Sequence, residues 1–364
     1  MPVNDETRTI LWSALSWQFQ RVRQLLRNLT NNLNIQPSDR FANITPEKKK
    51  ENAGDSKRTT RWPRVMGGIR AFTFESDLFS VPCHEIVVEG RTIRYVDATR
   101  LSYARLTSLF DKEPTTIPWL ESFQSNETLV DIGANIGMYT IYAAAFAGCR
   151  VFAFEPESLN YAELNKNIFV NNLHERVSAF PIALSDEVKV DYLNLGAFGV
   201  AYSHHDFSEN TWKEDMKWDD KLTRKDARLR QGCVSSTLDT LVETGLLPVP
   251  DHIKIDVDGL EHRVIAGCRK TLANPAVKTV LVEIDFRSVH ADATIDFMTD
   301  LGWKYSMDQL RTNRSFILPT ELIQELRAKK RDGLNYIFFR DEKYAHLFKN
   351  FLADYTPPWP LPKK

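Results

Sequence analysis

The sequence predicts an α/β fold, a mostly parallel sheet covered by helices, in the middle and C-terminal parts of a 364-residue chain. Three observations lead there. From Thr128 onward, short apolar runs alternate with helical ones in the rhythm strand, helix, strand, helix. The run Val130-Asp131-Ile132-Gly133-Ala134-Asn135-Ile136-Gly137 puts two glycines around a strand-to-helix turn. The following strand, Arg150-Val151-Phe152-Ala153-Phe154, ends on an acid, Glu155.

The elements follow in order. Leu129–Ile132 is a short apolar strand, Tyr139–Ala147 a helix of small and apolar residues, and Leu159–Asn171 the next helix. Val177–Phe180 begins a third strand. Ile253–Asp256, the helix from Glu261 to Leu272 and the strand from Val277 to Ile284 continue the alternation. Trp303-Lys304-Tyr305 and Tyr336–Phe339 supply two last strands. Upstream, His84–Glu89 and Arg91–Val96 flank Gly90 as a hairpin, with helical segments from there to Phe123.

The ends differ in character. Leu11, Leu15, Phe19, Val22, Leu26, Leu29 and Leu33 recur at helical spacing, with Arg8, Arg21, Arg23 and Arg27 on the polar side. This amphipathic helix fits docking on the protein, self-association, or peripheral contact with an anionic membrane through residues 7–33. Residues 35–70, with the run Lys48-Lys49-Lys50, read as a polar linker. The expected organisation is therefore a helix over 1–34, the linker, an α+β cap region over 71–125, the main domain over 126–340, and a C-terminal helix with a proline-rich tail over 341–364. A charged insertion, 203–232, interrupts the main domain with His204 and His205 near its start.

Composition narrows the function classes. The formal net charge of −1 gives no global reason to expect nucleic acid as a partner. Cys83, Cys149, Cys233 and Cys268 form no CxxC pair, so no thiolate zinc site is expected, and their scatter suits a reducing compartment. Arg, Gln and Asn interrupt every apolar run near the N-terminus, and no stretch reaches the length of a membrane span, so a cytoplasmic protein is expected.

Chemistry concentrates at the strand ends. Glycine at 133 and 137 lets the backbone pass close to a ligand, and the helix beyond offers unpaired N–H groups. A carboxylate at Asp131 suits a cationic ligand group. An acid at Glu155 is placed to accept hydrogen bonds from both hydroxyls of a ribose. Dinucleotide binders need G-x-G-x-x-G to seat a pyrophosphate on the helix dipole. Here the spacing is G-x-x-x-G behind an acidic strand end, which favours a nucleoside without a pyrophosphate.

These residues resemble motifs I and II of class I methyltransferases and, more narrowly, of the FkbM family. Further family signatures follow in register. Ala183-Leu184-Ser185-Asp186 resembles its third-strand motif, and Ser236-Thr237-Leu238-Asp239-Thr240-Leu241 its TLD segment. Lys254–Glu261 resembles its KIDVEGxE block with Asp258 in place of the usual Glu, and Leu281–Ile284 the strand that follows. The resemblance covers about residues 126–340.

It implies a Rossmann-like, seven-stranded sheet with an antiparallel C-terminal hairpin. It also implies an S-adenosylmethionine-dependent methyltransferase acting on a hydroxyl of a glycan or secondary metabolite. Carried over, Asp131, Gly133, Asn135 and Gly137 contact the methionine part, and Glu155 holds the ribose. Ala183, Leu184 and Asp186 face the adenine, and Asp256 lies against the cofactor. A nucleotide-dependent oxidoreductase and a non-catalytic cofactor-binding scaffold are the alternatives.

Methyl transfer to an unactivated hydroxyl needs alignment and a proton acceptor. Asp256, Glu261, Glu283 and His262 are the candidate bases, from a group at the strand ends that also holds Asp258 and Asp285. His204 and His205 could serve if the insertion closes over the site. Each has a plain structural alternative: Asp256 as a cofactor ligand only, Glu261 as an acid complementing a helix dipole, Glu283 as a buried partner of Lys254. A divalent metal on these acids is a further alternative, and no metal ligand is assigned.

Overall fold

The structure is a computed structural model, and it describes residues 68–77, 79–110, 112–113, 115–207, 229–285, 288–306 and 335–346. The expected N-terminal helix, most of the linker, the centre of the charged insertion and the proline-rich tail lie outside the described residues.

The chain enters through an antiparallel sheet of β1 (Arg70–Glu75), β2 (Ser80–Val88) and β3 (Arg91–Val96). Glu89 and Gly90, both at positive φ, form the two-residue turn that joins β2 to β3, and this matches the right-handed twist of the strands. Two short helices follow, α1 (Arg100–Thr107) and α2 (Thr116–Glu121). Thr99 caps α1 by accepting the Ser102 N–H at 3.1 Å.

The main sheet comprises β4 (Thr128–Ile132), β5 (Arg150–Phe154), β6 (Val177–Phe180), β11 (His252–Ile255), β12 (Thr279–Glu283) and β13 (Asn335–Phe339). Their order is β13-β12-β11-β4-β5-β6. All pairs are parallel except β12 with β13. The chain reverses direction across the sheet between β4 and β11. At such a switch point the strand ends open into a ligand crevice. Of the seven expected strands, six pair as strands among the described residues. Trp303–Tyr305 contributes one antiparallel bridge, Lys304 to Phe339.

Each face of this sheet is buried under helices. On one face Leu129, Val151, Ala153, Leu281 and Ile337 pack with α2, with α3 (Met138–Tyr142) and its π-helical continuation Ala143–Ala147, and with α4 (Ser158–Val170). On the other, Val130, Ile132, Ile253, Ile255, Val280 and Val282 pack with α5 (Leu238–Glu243), α6 (Glu261–Ala266), α7 (Arg269–Ala273) and α8 (Ala291–Asp300). A last helical turn, α9 (Lys343–His346), follows β13. The alternation of strand residues between the two cores is the period-two pattern of a strand buried on both sides.

A second sheet was not foreseen. It joins β7 (Ala183–Leu184), β8 (Lys189–Leu195), β9 (Asp206–Phe207) and β10 (Leu229–Ser236) in the order β7-β10-β8-β9. The described ends of the segment 203–232 take part in this sheet. Asp206–Phe207 pairs with β8, and Leu229 onward forms a full strand against it, because the backbone groups at these ends complete the β8 ladder.

Asparagines on α4 and at its C-cap tie the parts together. Asn171 and Asn167 accept the N–H groups of Arg94 and Val96 at 2.8 and 2.7 Å, on alternate residues of β3. Asn160 accepts the N–H of Ala201 and donates to the carbonyl of Tyr202. A helical step of three to four residues thus matches a strand step of two, and the free edge of β3 is satisfied. The TLD segment has a similar role: Thr237 caps α5, and Asp239 accepts both the Lys270 and Thr271 N–H groups at the start of α7.

Candidate active site

The carboxyl ends of β4, β5, β11 and β12 open into a cleft of about 540 Å³. Its floor is the turn after β4. Gly133 has φ +79°, and a Cβ there would run into the Asp256 carbonyl oxygen on the neighbouring strand. Only glycine permits that approach. Gly137, at φ +82°, precedes α3 and packs on Leu164 without lining the cleft. Asn135, also at positive φ, donates its side-chain amide to the Tyr202 carbonyl.

Glu155 stands at the end of β5, 5% exposed. Its Oε2 accepts the Asn135 N–H at 2.7 Å and its Oε1 the Glu157 N–H at 2.9 Å. Each oxygen keeps a second lone pair. Burial pushes the carboxyl up to about 8, against the pull of the two backbone hydrogen bonds.

Lys254 explains itself in this setting. It points to the same sheet face as Asp131, its register partner on β4. Its ammonium donates to Asp256 at 2.7 Å and lies 3.9 Å from Asp131. Asp131 accepts the Thr140 hydroxyl through Oδ2, while Oδ1 is buried without a hydrogen-bond partner. Burial raises the Asp131 carboxyl above its ordinary value. Lys254, against the cost of burial, holds Asp256 well below the usual carboxylate range. The resulting charge on Asp256, together with burial, drives Glu283 far above it. These two acids sit side by side at the ends of β11 and β12 and share a hydrogen bond. One proton is therefore held between them.

The other sequence-predicted residues divide. Glu261, buried, accepts the N–H groups of Val257 and Gly259 at 3.0 and 3.1 Å and braces the loop between β11 and α6. Burial pushes its carboxyl up to about 8. Ala183, Leu184 and Ser185 line the cleft. Asp186 does not; it accepts from Arg263 at 3.2 Å and from Ser185 at 2.9 Å. His262 is also outside the lining, its ring stacked on His290 at 3.8 Å. His204 and His205 do reach the cleft. His204 donates its N–H to Asp258 at 2.6 Å, with its ring Nδ1 3.3 Å from the same carboxylate.

Sequence reasoning missed the contribution of α1 and the segment after it. Arg105, Ser108 and Lys112 line the cleft, and Glu113 joins them in a small annex of about 40 Å³ beside Asp131. No motif marks these residues: Arg105 sits on a short helix whose pattern reads only as helical, and Ser108, Lys112 and Glu113 follow its end. Among the described residues, no group of three or more His, Cys, Asp or Glu is arranged to hold a metal ion, and no helix is long and apolar enough to cross a membrane.

An open sheet with its crevice at a switch point, a glycine turn under it and an acid on the adjoining strand end defines a Rossmann-like domain. Residues 131–305, just under half of the chain, match the family model described as the methyltransferase FkbM domain, and the chain is a methyltransferase. The hexuronic acid methyltransferase AglP of Haloferax volcanii is 25% identical over 197 residues, 54% of this chain and 72% of the relative. Methyltransferase sdnD of Sordaria araneosa is 31% identical over 101 residues, 26% of this chain and 39% of the relative. The solved structure of methyltransferase FkbM from Methylobacillus flagellatus superposes with a TM-score of 0.38 at 12% identity, covering 66% of this chain and 55% of that one.

Proposed function

We propose that the chain transfers the methyl group of S-adenosylmethionine to a hydroxyl oxygen of a glycan or secondary metabolite. The observation that carries the cofactor reading is Glu155. Both its oxygens are fixed by backbone N–H groups and both retain an acceptor site at the cleft, which suits the paired hydroxyls of a ribose. The orphaned Asp131 Oδ1 suits the ammonium of a methionine tail. The apolar wall of Ile182, Ala183 and Leu184 suits adenine. The hexuronic acid relative supports a carbohydrate acceptor.

In this reading the sulfonium supplies the methyl group, and the chain aligns the acceptor oxygen with it and receives the proton. Glu283 is the proposed acceptor in its ionised form, after the proton it shares with Asp256 has left to solvent. Its affinity for a proton is raised by Asp256 beside it, so its ionised form is the stronger base of the pair. Asp256, anchored on Lys254, keeps that arrangement in place, and Glu261 holds the loop between them and α6. His262 and Asp186 take structural parts.

The test is calorimetry with S-adenosylhomocysteine, followed by transfer of a labelled methyl group into oligosaccharide and small-molecule acceptors. Micromolar-range binding, about −8 kcal/mol, and label on an ether oxygen support the proposal. Absence of binding to the wild-type protein refutes it.

A further inference from the structure

The annex beside Asp131 has a charge pattern that the family-matching residues alone do not provide. Six charged side chains line it: Arg105, Lys112 and Lys254 against Glu113, Asp131 and Asp256. The two sets balance. A lone anion or cation would upset that balance, and a zwitterion would not. The annex is continuous with the cleft, since Arg105, Ser108, Lys112, Gly133, Asn135 and Asp256 line both.

Within the annex the acids and cations are unequally engaged. Lys254 is committed to Asp256. Arg105 spends its Nε on the Ala201 carbonyl at 2.7 Å, and its Nη groups make no hydrogen bond among the described residues. Lys112 meets Glu113 at 3.1 Å through one of its three N–H donors, and half of its side chain is exposed. Asp131, 1% exposed, keeps Oδ1 without a hydrogen-bond partner, with the Lys254 ammonium 3.9 Å away. The annex thus holds a carboxylate oxygen without a hydrogen-bond donor, together with unused donors for an anion.

We propose that Arg105 and Lys112 form a carboxylate clamp for the α-carboxylate of the cofactor's amino-acid tail, with Asp131 taking its ammonium. This rests on the S-adenosylmethionine reading. It adds a binding function to α1 and the following segment, upstream of the family-matching residues 131–305. A carboxylate could also arrive on a uronic-acid acceptor. The charge balance favours the tail, because an acceptor carboxylate would come without an ammonium for Asp131.

The experiment compares S-adenosylhomocysteine with 5′-methylthioadenosine, the same thioether nucleoside without the amino-acid tail, by calorimetry. Lys112→Met and Arg105→Gln should each weaken S-adenosylhomocysteine about 10- to 100-fold, the range for losing a hydrogen bond to a charged group. Methylthioadenosine binding should stay within about twofold of wild type, and Lys112→Arg should restore most of the loss. Parallel weakening of both ligands, or unchanged binding of both, overturns the clamp. So does a loss confined to D-glucuronate binding in the presence of saturating S-adenosylhomocysteine, which would assign the carboxylate to the acceptor. Wild-type protein that binds methylthioadenosine but gains nothing from the tail also overturns it. Wild-type protein that binds neither nucleoside refutes the underlying cofactor reading instead.

Discussion

Glu155 accepts the backbone N–H of Asn135 at 2.7 Å, so the acid at the end of one strand is locked to the glycine turn at the end of its neighbour. Glu155→Ala should cut the two proposed ribose contacts and weaken S-adenosylhomocysteine by roughly 1.5–3 kcal/mol. It also frees the Asn135 N–H, so calorimetry should be paired with a thermal melt. Unchanged affinity in a well-folded variant would remove Glu155 from the binding site.

The same carboxyl makes affinity depend on pH. Raised to about 8 by burial, it carries a proton at neutral pH in the empty protein, whereas ribose hydroxyls donate to its ionised form. Affinity should rise as pH goes from about 6 to 8 and then level off, with proton release on binding near pH 7. Calorimetry in buffers of different ionisation enthalpy reads that proton; its absence would contradict the assignment.

Stability should run the opposite way. Glu155 and Glu261 hold protons up to about 8 in the folded chain, but the unfolded chain releases them near the ordinary glutamate value. The folded state therefore binds more protons across that interval, and stability falls as pH rises through it. Glu127, lowered to about 2 chiefly through its hydrogen bonds to His252 and Lys278 and despite burial, acts only at acid pH. Neutral His252, lowered by burial, contributes the opposite slope at and below its unfolded value. The clean window is pH 7–8, where the melting temperature should drop and Glu155→Gln should flatten the drop.

At the far ends of the strands a closed polar relay holds the sheet. Trp119 donates to the Thr279 hydroxyl at 2.7 Å, Thr279 meets His252 Nδ1 at 2.6 Å, and His252 Nε2 meets Glu127 at 3.1 Å. The Phe123 ring stacks on His252 at 3.7 Å. Thr279→Val strands two buried groups and should cost about 1–3 kcal/mol per group in denaturant unfolding. Cofactor affinity should not change, because the relay lies opposite the cleft.

Lys254→Met tests the charge cluster. It leaves Asp131 and Asp256 without their cation and should destabilise the chain by about 3–5 kcal/mol. A melt close to wild type would mean the acids are neutralised by some other group.

Much of the fold was legible because short apolar runs and the glycine turn are local signals. Leu129 through Ile132 and Ile253 through Asp256 announce buried parallel strands, and the residues around Gly133 and Glu155 mark the crevice. The second sheet was hidden because β10 begins inside a charged segment and gains its identity only by pairing with Lys189–Leu195. The engagement of Glu261 with backbone N–H groups and the turning of Asp186 to Arg263 were equally hidden, since sequence gives a carboxylate's position but not its partners. Arg105 and Lys112 carried no motif at all; only the fold brings them to Asp131.

The most direct measurement is mass spectrometry of acceptors incubated with the protein and S-adenosylmethionine bearing a trideuterated methyl group, using hexuronate-containing and neutral oligosaccharides. The account predicts one trideuteromethyl group on an oxygen of an oligosaccharide, with S-adenosylhomocysteine formed in equal amount and less product from Glu155→Ala at subsaturating S-adenosylmethionine. Unlabelled oligosaccharides throughout, with the S-adenosylmethionine returned intact, would contradict it.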